Sequence, residues 1–283
     1  MPIEFYVSGD QTRVRQSFPS PTVYLDHWAI RLFSDERQLQ DRLVAALLRQ
    51  GGTLLLSNFT FAEFARNDDR RHTVAAEEFI ERLLPNIFLT DFAFDKLQEQ
   101  EQLEQDNARR FWPPADLPQL KLFAERAQDE PHGFTMRGFI AMARDNYSLL
   151  EIVTRETLDL IRTGFEVQRA DAEYVRALRN MRPTTKRTRM TVIMSELMRE
   201  FILDPTLPLV DNDVMDMIHA AVPVNCCDFV LLDGAWSDRV AKMKQRIKNA
   251  GTRMPVARCY SRRSNGIQQF LEALDSFPVS AEQ

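Results

Sequence analysis

A chain of 283 residues, 44% hydrophobic and 27% charged, is long enough to bury a sizeable core and has the composition of a globular protein of one or two domains. Its net charge of −5 excludes a protein that coats nucleic acid through overall charge, while leaving room for a local basic patch. The three cysteines, Cys226, Cys227 and Cys259, have no zinc-ligand spacing and read as reduced thiols of a cytosolic protein.

The opening MPIEFYVSGDQTRVRQ holds no apolar run of signal-peptide length, and no stretch approaches the ~18 apolar residues of a membrane span, so an intracellular chain is expected. PTVYLDHW (21–28) reads as a short strand running into Asp26. Ser34 is the predicted cap of a helix reaching about Gln50, with Leu39, Leu43 and Leu47 on its apolar stripe and Gly51-Gly52 ending it. TLLLS (53–57) is a buried strand, and NFTFAEFAR continues directly as a helix carrying Glu63 between Phe61 and Phe64. Strand, helix, strand, helix at this spacing predicts a parallel sheet.

Between about Phe92 and Leu203 the sequence turns long, charged and helical. Leu149, Leu150, Val153, Thr157, Leu160 and Ile161 keep helical spacing, as do Met190, Ile193, Met194, Leu197 and Phe201. FWPPADLP (111–118) is a turn, and LQEQEQLEQ reads as a solvated helical face. After Pro208 the α/β texture returns, with a helix over 212–221, a strand in CDFVLLD (227–233), a helix over 235–249, a strand in PVARCYS (255–261) and a closing helix in GIQQFLEAL. The expected organisation is one α/β sheet domain in two halves, 1–90 and 205–283, with 91–204 as a helical insertion.

Acids recur where strands end. Asp26 and Asp233 close two strands, Glu63 sits early in the helix after a third, and Asp216 lies on the helix whose apolar stripe is Val214, Met217, Ile218 and Ala221. In an open parallel sheet ligands bind at the carboxyl ends of the strands, so these acids face one rim if the strands are neighbours. The preference of acids for helix N-termini, about 0.3–1 kcal/mol each, accounts for Asp211 or Asp213 but is not expected to account for Asp26, Glu63 and Asp233. Ionised pairs ~5 Å apart repel by about 3 kcal/mol at an effective dielectric near 20, so a shared proton or a bound cation is required. Oxygen donors favour Mg²⁺ or Mn²⁺ over zinc.

Asp26 after VYL, Glu63 in SNFTFAEF, DMIHAA from Asp216 and FVLLDGAW with Asp233 resemble the four acidic motifs of the PIN-domain nuclease superfamily. Toxin members carry D-x-x-I-A-A followed by L-V-T-x-D; here Ile218 falls one place early and His219 takes its slot. Larger PIN-like relatives with Asp-x-x-His, a strand ending in Leu-Asp and a nearby Trp are more similar. The resemblance covers about residues 20–90 and 205–275 and implies a PIN-like parallel sheet flanked by helices. It also implies metal-dependent phosphodiester hydrolysis, usually of RNA, in which carboxylates hold one or two Mg²⁺ or Mn²⁺ ions that activate water. By this resemblance Asp26, Glu63 and Asp216 are metal ligands, Asp233 is a ligand or holds a metal-bound water, and Asp213 is an auxiliary ligand or a helix-start acid.

His219, three residues after Asp216, is a candidate phosphate contact or simply a partner of a neighbouring acid. RALRNMRPTTKRTRM (176–190) has six basic residues and no acid, so Arg182, Lys186, Arg187 and Arg189 are candidate phosphate contacts, or a dock for an acidic inhibitor protein. Two other motifs fail. PLVDND resembles a haloacid-type phosphatase strand but carries Met215 where that family wants Thr or Val, and Met215 and Asp216 break an EF-hand loop. The remaining alternatives are a DNA-directed nuclease of flap or defence type and a non-catalytic nucleic-acid-binding module on the same fold.

Overall fold

The computed structural model describes residues 2–66, 69–103, 111–129, 135–145, 147–184 and 187–278. The chain opens with an antiparallel hairpin absent from the sequence reading, β1 (Ile3–Ser8) and β2 (Gln11–Gln16), turned at Gly9 with φ +64°. The sheet domain follows as β3 (Thr22–Leu25), α1 (His27–Asp35), α2 (Arg37–Gln50), β4 (Thr53–Ser57), α3 (Asn58–Arg66), α4 (Arg70–Glu81) and β5 (Ile87–Thr90). The helical stretch comprises α5 (Phe94–Leu103), α6 (Leu117–Asp129), α7 (Phe139–Asp145), α8 (Tyr147–Ala170), α9 (Ala172–Asn180), α10 (Arg189–Leu197) and α11 (Arg199–Leu203). The chain closes with α12 (Asp211–Cys226), β6 (Phe229–Leu231), α13 (Gly234–Asn249), β7 (Arg258–Tyr260) and α14 (Gly266–Asp275). No helix among the described residues is long and apolar enough to cross a membrane.

The predicted class stands: five strands form an all-parallel sheet in the order β5-β4-β3-β6-β7, flanked by helices. Every residue of β3, β4, β5 and β6 is buried, which is why those segments read as unbroken apolar runs. The chain adds β4 and β5 on one side of β3, then returns to lay β6 on the other, pairing Tyr24 with Val230. The boundary between β3 and β6 is therefore a topological switch point, where the crevice beyond the strand ends is open to a ligand.

Alternating side chains feed two cores. Tyr24, Leu55, Phe88 and Val230 point into one with α10, α12 and α13, whereas Val23, Leu25, Leu54, Leu56 and Leu231 point into the other with α1, α2, α4 and α14. Residues of 91–204 enter both: Phe165, Ile193, Leu197 and Phe201 lie in the first, Phe123, Phe139 and Ile140 in the second.

Three local expectations are corrected. Ser34 does not cap a helix: it lies inside α1 and its hydroxyl donates to the Ile30 carbonyl at 2.7 Å, while the chain breaks at Glu36. In α8 the inward line is Leu158, Ile161 and Phe165, which leaves Leu160 74% exposed. In LQEQEQLEQ, Leu97 is buried and Glu101 is 5% exposed with its Oε1 accepting the Met190 N–H at 2.7 Å, so this part of the tract is not a solvated face.

One buried acid has a structural task. Glu77 of α4 accepts the backbone N–H groups of Gly138 (2.9 Å), Ile140 (2.8 Å) and Ala141 (3.1 Å), closing the N-terminus of α7. Glu77→Ala leaves those donors unpaired, the buried Ile140 N–H among them, and is expected to cost about 3 kcal/mol, read as a lower urea midpoint with Glu77→Gln in between. An unchanged midpoint would show that α7 is held without this clamp.

Candidate metal centre

The acids gather at the carboxyl rim of the three central strands. Asp26 follows β3 directly and caps α1, accepting the His27 N–H at 2.8 Å. Asp233 follows β6 and caps α13, accepting the N–H groups of Ala235 (2.6 Å) and Trp236 (2.9 Å). Capping thus accounts for both positions, contrary to the expectation that it reaches only the start of α12. Asp213 accepts the Val210 N–H at 3.2 Å, as a helix-start acid does, and Asp211 pairs with Arg162. Glu63 and Asp216 are different: each is the sixth residue of its helix, beyond the reach of capping.

The charges of these groups act on one another. Burial pushes the Asp26 carboxyl up to about 6, and the Asp233 charge adds to it against the opposing hydrogen bond from the His27 N–H. Burial pushes Asp216 up to about 7, with Asp26, Asp233 and Asp213 adding and the Trp236 indole N–H pulling back. Glu63 is raised well above the ordinary carboxylate range by burial, then by Asp26 and Asp216, with Arg66 opposing. Four acids from distant parts of the chain therefore share one electrostatic neighbourhood, two from strand ends and two from helices. Asp26, Glu63 and His219 each offer an atom such that all three lie within 4.8 Å of one another.

His219 is not a surface contact for a phosphate. It is 1% exposed, and its ring packs among Tyr24, Phe59 and Phe92 with centroids 6.0–6.4 Å away. Nδ1 is hydrogen-bonded to the Tyr24 hydroxyl. Nε2 lies 3.3 Å from Glu63 Oε2 without the alignment of a hydrogen bond, and neither atom has another hydrogen-bond partner. Burial lowers the imidazole to about 3, so it is neutral.

Within the basic stretch, the reading of Arg189 is corrected. Arg189 is 2% exposed and its Nη2 donates to the carbonyls of Asn225 and Pro255, the latter at 2.9 Å. Those carbonyls precede β6 and β7, on the rim opposite the acids, so Arg189 braces the fold and touches no substrate at the acid site. Arg187 is half-buried with Nη1 3.4 Å from Ser195 Oγ, Arg182 is exposed, and Lys186 lies outside the described residues. The cations near the acids are others. A cleft of about 480 Å³ opens beside them between Glu63 and Arg66 of α3, Arg155 and Arg162 of α8, and Asp211 and Asp216 of α12.

Tyr24 was missed as a partner of the site, because it reads as one more strand aromatic. Trp28 and Trp236 sit in the first turns of the helices that Asp26 and Asp233 cap, and the Trp236 indole acts on Asp216. A scan against family models finds no match for this chain, and searches of curated proteins and of solved structures find none either.

Proposed function

We propose that the chain is a metal-dependent nuclease with a PIN-like site, acting as an endoribonuclease. The observation that carries this reading is the gathering of Asp26, Glu63, Asp216 and Asp233 at a switch point, where burial raises the first three and a neighbouring acid adds to each: Asp233 on Asp26, Asp26 and Asp216 on Glu63, and Asp26 and Asp233 on Asp216. Carboxylates so placed are a costly arrangement for structure alone, and a hard dication relieves it. The donor set fits Mg²⁺ or Mn²⁺: oxygen-rich, with no thiolate among the grouped ligand atoms. In this reading Asp26, Glu63 and Asp216 hold the ion, Asp233 holds it directly or through water, and Asp213 adds charge from the start of α12. A bound divalent ion supplies Lewis acidity and an activated water for attack on a phosphodiester. Arg66, Arg155 and Arg162 line the adjoining cleft, where guanidinium groups suit backbone phosphates.

The test is calorimetric titration with Mn²⁺ near pH 8, together with cleavage of labelled single-stranded RNA and DNA of the same sequence. The expected result is Mn²⁺ binding and RNA cleavage that EDTA stops. Cleavage of DNA alone favours the DNA-directed alternative, and nucleic-acid binding without either metal binding or cleavage favours the non-catalytic module.

A further inference from the structure

The buried side chains behind the acids form a chain of their own. Tyr24 on β3 is 1% exposed and lies two residues before Asp26; His219 on α12 is 1% exposed and lies three residues after Asp216. The Tyr24 hydroxyl meets His219 Nδ1, and His219 Nε2 faces Glu63 Oε2 at 3.3 Å. One link therefore comes from each of β3, α12 and α3, three of the four elements that carry or precede an acid of the site.

Only two proton arrangements suit a neutral imidazole here. In the first, Nδ1–H donates to the Tyr24 oxygen. The phenol proton then has no other acceptor among the described contacts, and Nε2 has no proton to offer Glu63 Oε2. In the second, the Tyr24 hydroxyl donates to Nδ1, and Nε2–H points at Glu63 Oε2. The Tyr24 hydroxyl, both ring nitrogens and Glu63 Oε2 then each have a partner, and the loose 3.3 Å approach needs only a small tilt, of the kind such contacts undergo when a site fills.

We infer that Tyr24 and His219 are positioning residues of the acid site: Tyr24 fixes the Nε2–H tautomer of His219, and that N–H anchors Glu63 through Oε2, leaving Oε1 for a cation. The inference rests on the metal-dependent reading, since an anchored carboxylate matters most when it must meet an ion in fixed geometry. It also assigns His219 away from the ion, although its ring nitrogen lies within the same cluster.

The test uses the full chain labelled with ¹⁵N-histidine, whose four histidines give few long-range proton–nitrogen correlations. The metal-free protein is expected to show one neutral Nε2–H imidazole that disappears in His219→Gln. Tyr24→Phe, which removes one oxygen and leaves the ring packing, is expected to weaken Mn²⁺ binding by roughly 10-fold, the low end for outer-shell partners, and to turn the tautomer. An Nδ1–H tautomer in the wild type, with Mn²⁺ acting directly at Nε2, would make His219 a ligand and overturn the inference. Unchanged Mn²⁺ affinity in Tyr24→Phe would overturn it equally. The underlying reading fails separately, by absence of Mn²⁺ binding in the wild type, and in that event the tautomer still decides whether the Tyr24–His219–Glu63 chain holds.

Discussion

Asp26→Asn is expected to slow Mn²⁺-dependent cleavage by about three orders of magnitude while making the metal-free protein more stable. Asn caps a helix about as well as Asp, so the start of α1 survives the change. What disappears is the charge that raises both Glu63 and Asp216. Each nearby carboxylate pair costs on the order of 3 kcal/mol at an effective dielectric of 20, but protonation already relieves part of that. A net gain of about 1–2 kcal/mol remains, a rise of a few degrees in melting temperature for a chain of this size. Activity falls by roughly 10³, the scale of one lost electrostatic contact worth about 4 kcal/mol at the reacting centre. The measurements are thermal melts in EDTA near pH 7.5 and single-turnover cleavage with Mn²⁺. If Asp26 were only a cap, the variant would be neutral in both, and full retention of activity would remove the nuclease reading.

In EDTA, stability is expected to fall as pH rises from about 4 to about 7, and added Mn²⁺ is expected to reverse the trend. An unfolded carboxyl titrates near 4, whereas Asp26 is held at about 6 and Asp216 at about 7. The native state therefore binds protons more tightly than the unfolded chain between these limits, and unfolding becomes easier as they leave. The stabilisation is fully present below about pH 4 and is gone once the pH has passed the raised values. Asp26 alone accounts for up to about 3 kcal/mol of it. Dications bind the deprotonated carboxylates, so Mn²⁺ affinity climbs over the same interval and binding releases protons. Urea unfolding at intervals of half a pH unit, with and without Mn²⁺, measures both limbs. A metal-free curve that is flat or rising from pH 5 to 7 would mean that the acids do not crowd one another.

The sheet was legible because its strands are buried on both faces: VYL, LLL and FVLL announce themselves as continuous apolar runs, and each is followed by a position bearing on the site. The apolar stripe of α12 was equally plain, and Val214, Met217, Ile218 and Ala221 are all buried. Charge was the poor guide. Arg189 reads as a solvated or phosphate-seeking cation, yet backbone carbonyls hold it inside the protein, and sequence does not reveal carbonyls left open before a strand. His219 was ambiguous for a related reason, because its partner Tyr24 is 195 positions away and reads as one more strand aromatic. Asp26 and Asp233 carry two tasks at once, and a capping role hides a shared rim.

The adjacency of β3 and β6 has a consequence for biosynthesis. Thr22 and Asp228, whose backbone and side chains are hydrogen-bonded to each other, are 206 residues apart, so the middle strand lacks one neighbour until most of the polypeptide has left the ribosome. Asp26 and Glu63 emerge early and wait as a half-site; Asp216 and Asp233 arrive only with the final quarter. A chain shortened to before Asp216 therefore keeps two of the four acids and loses the strand that pairs with β3 on its second side.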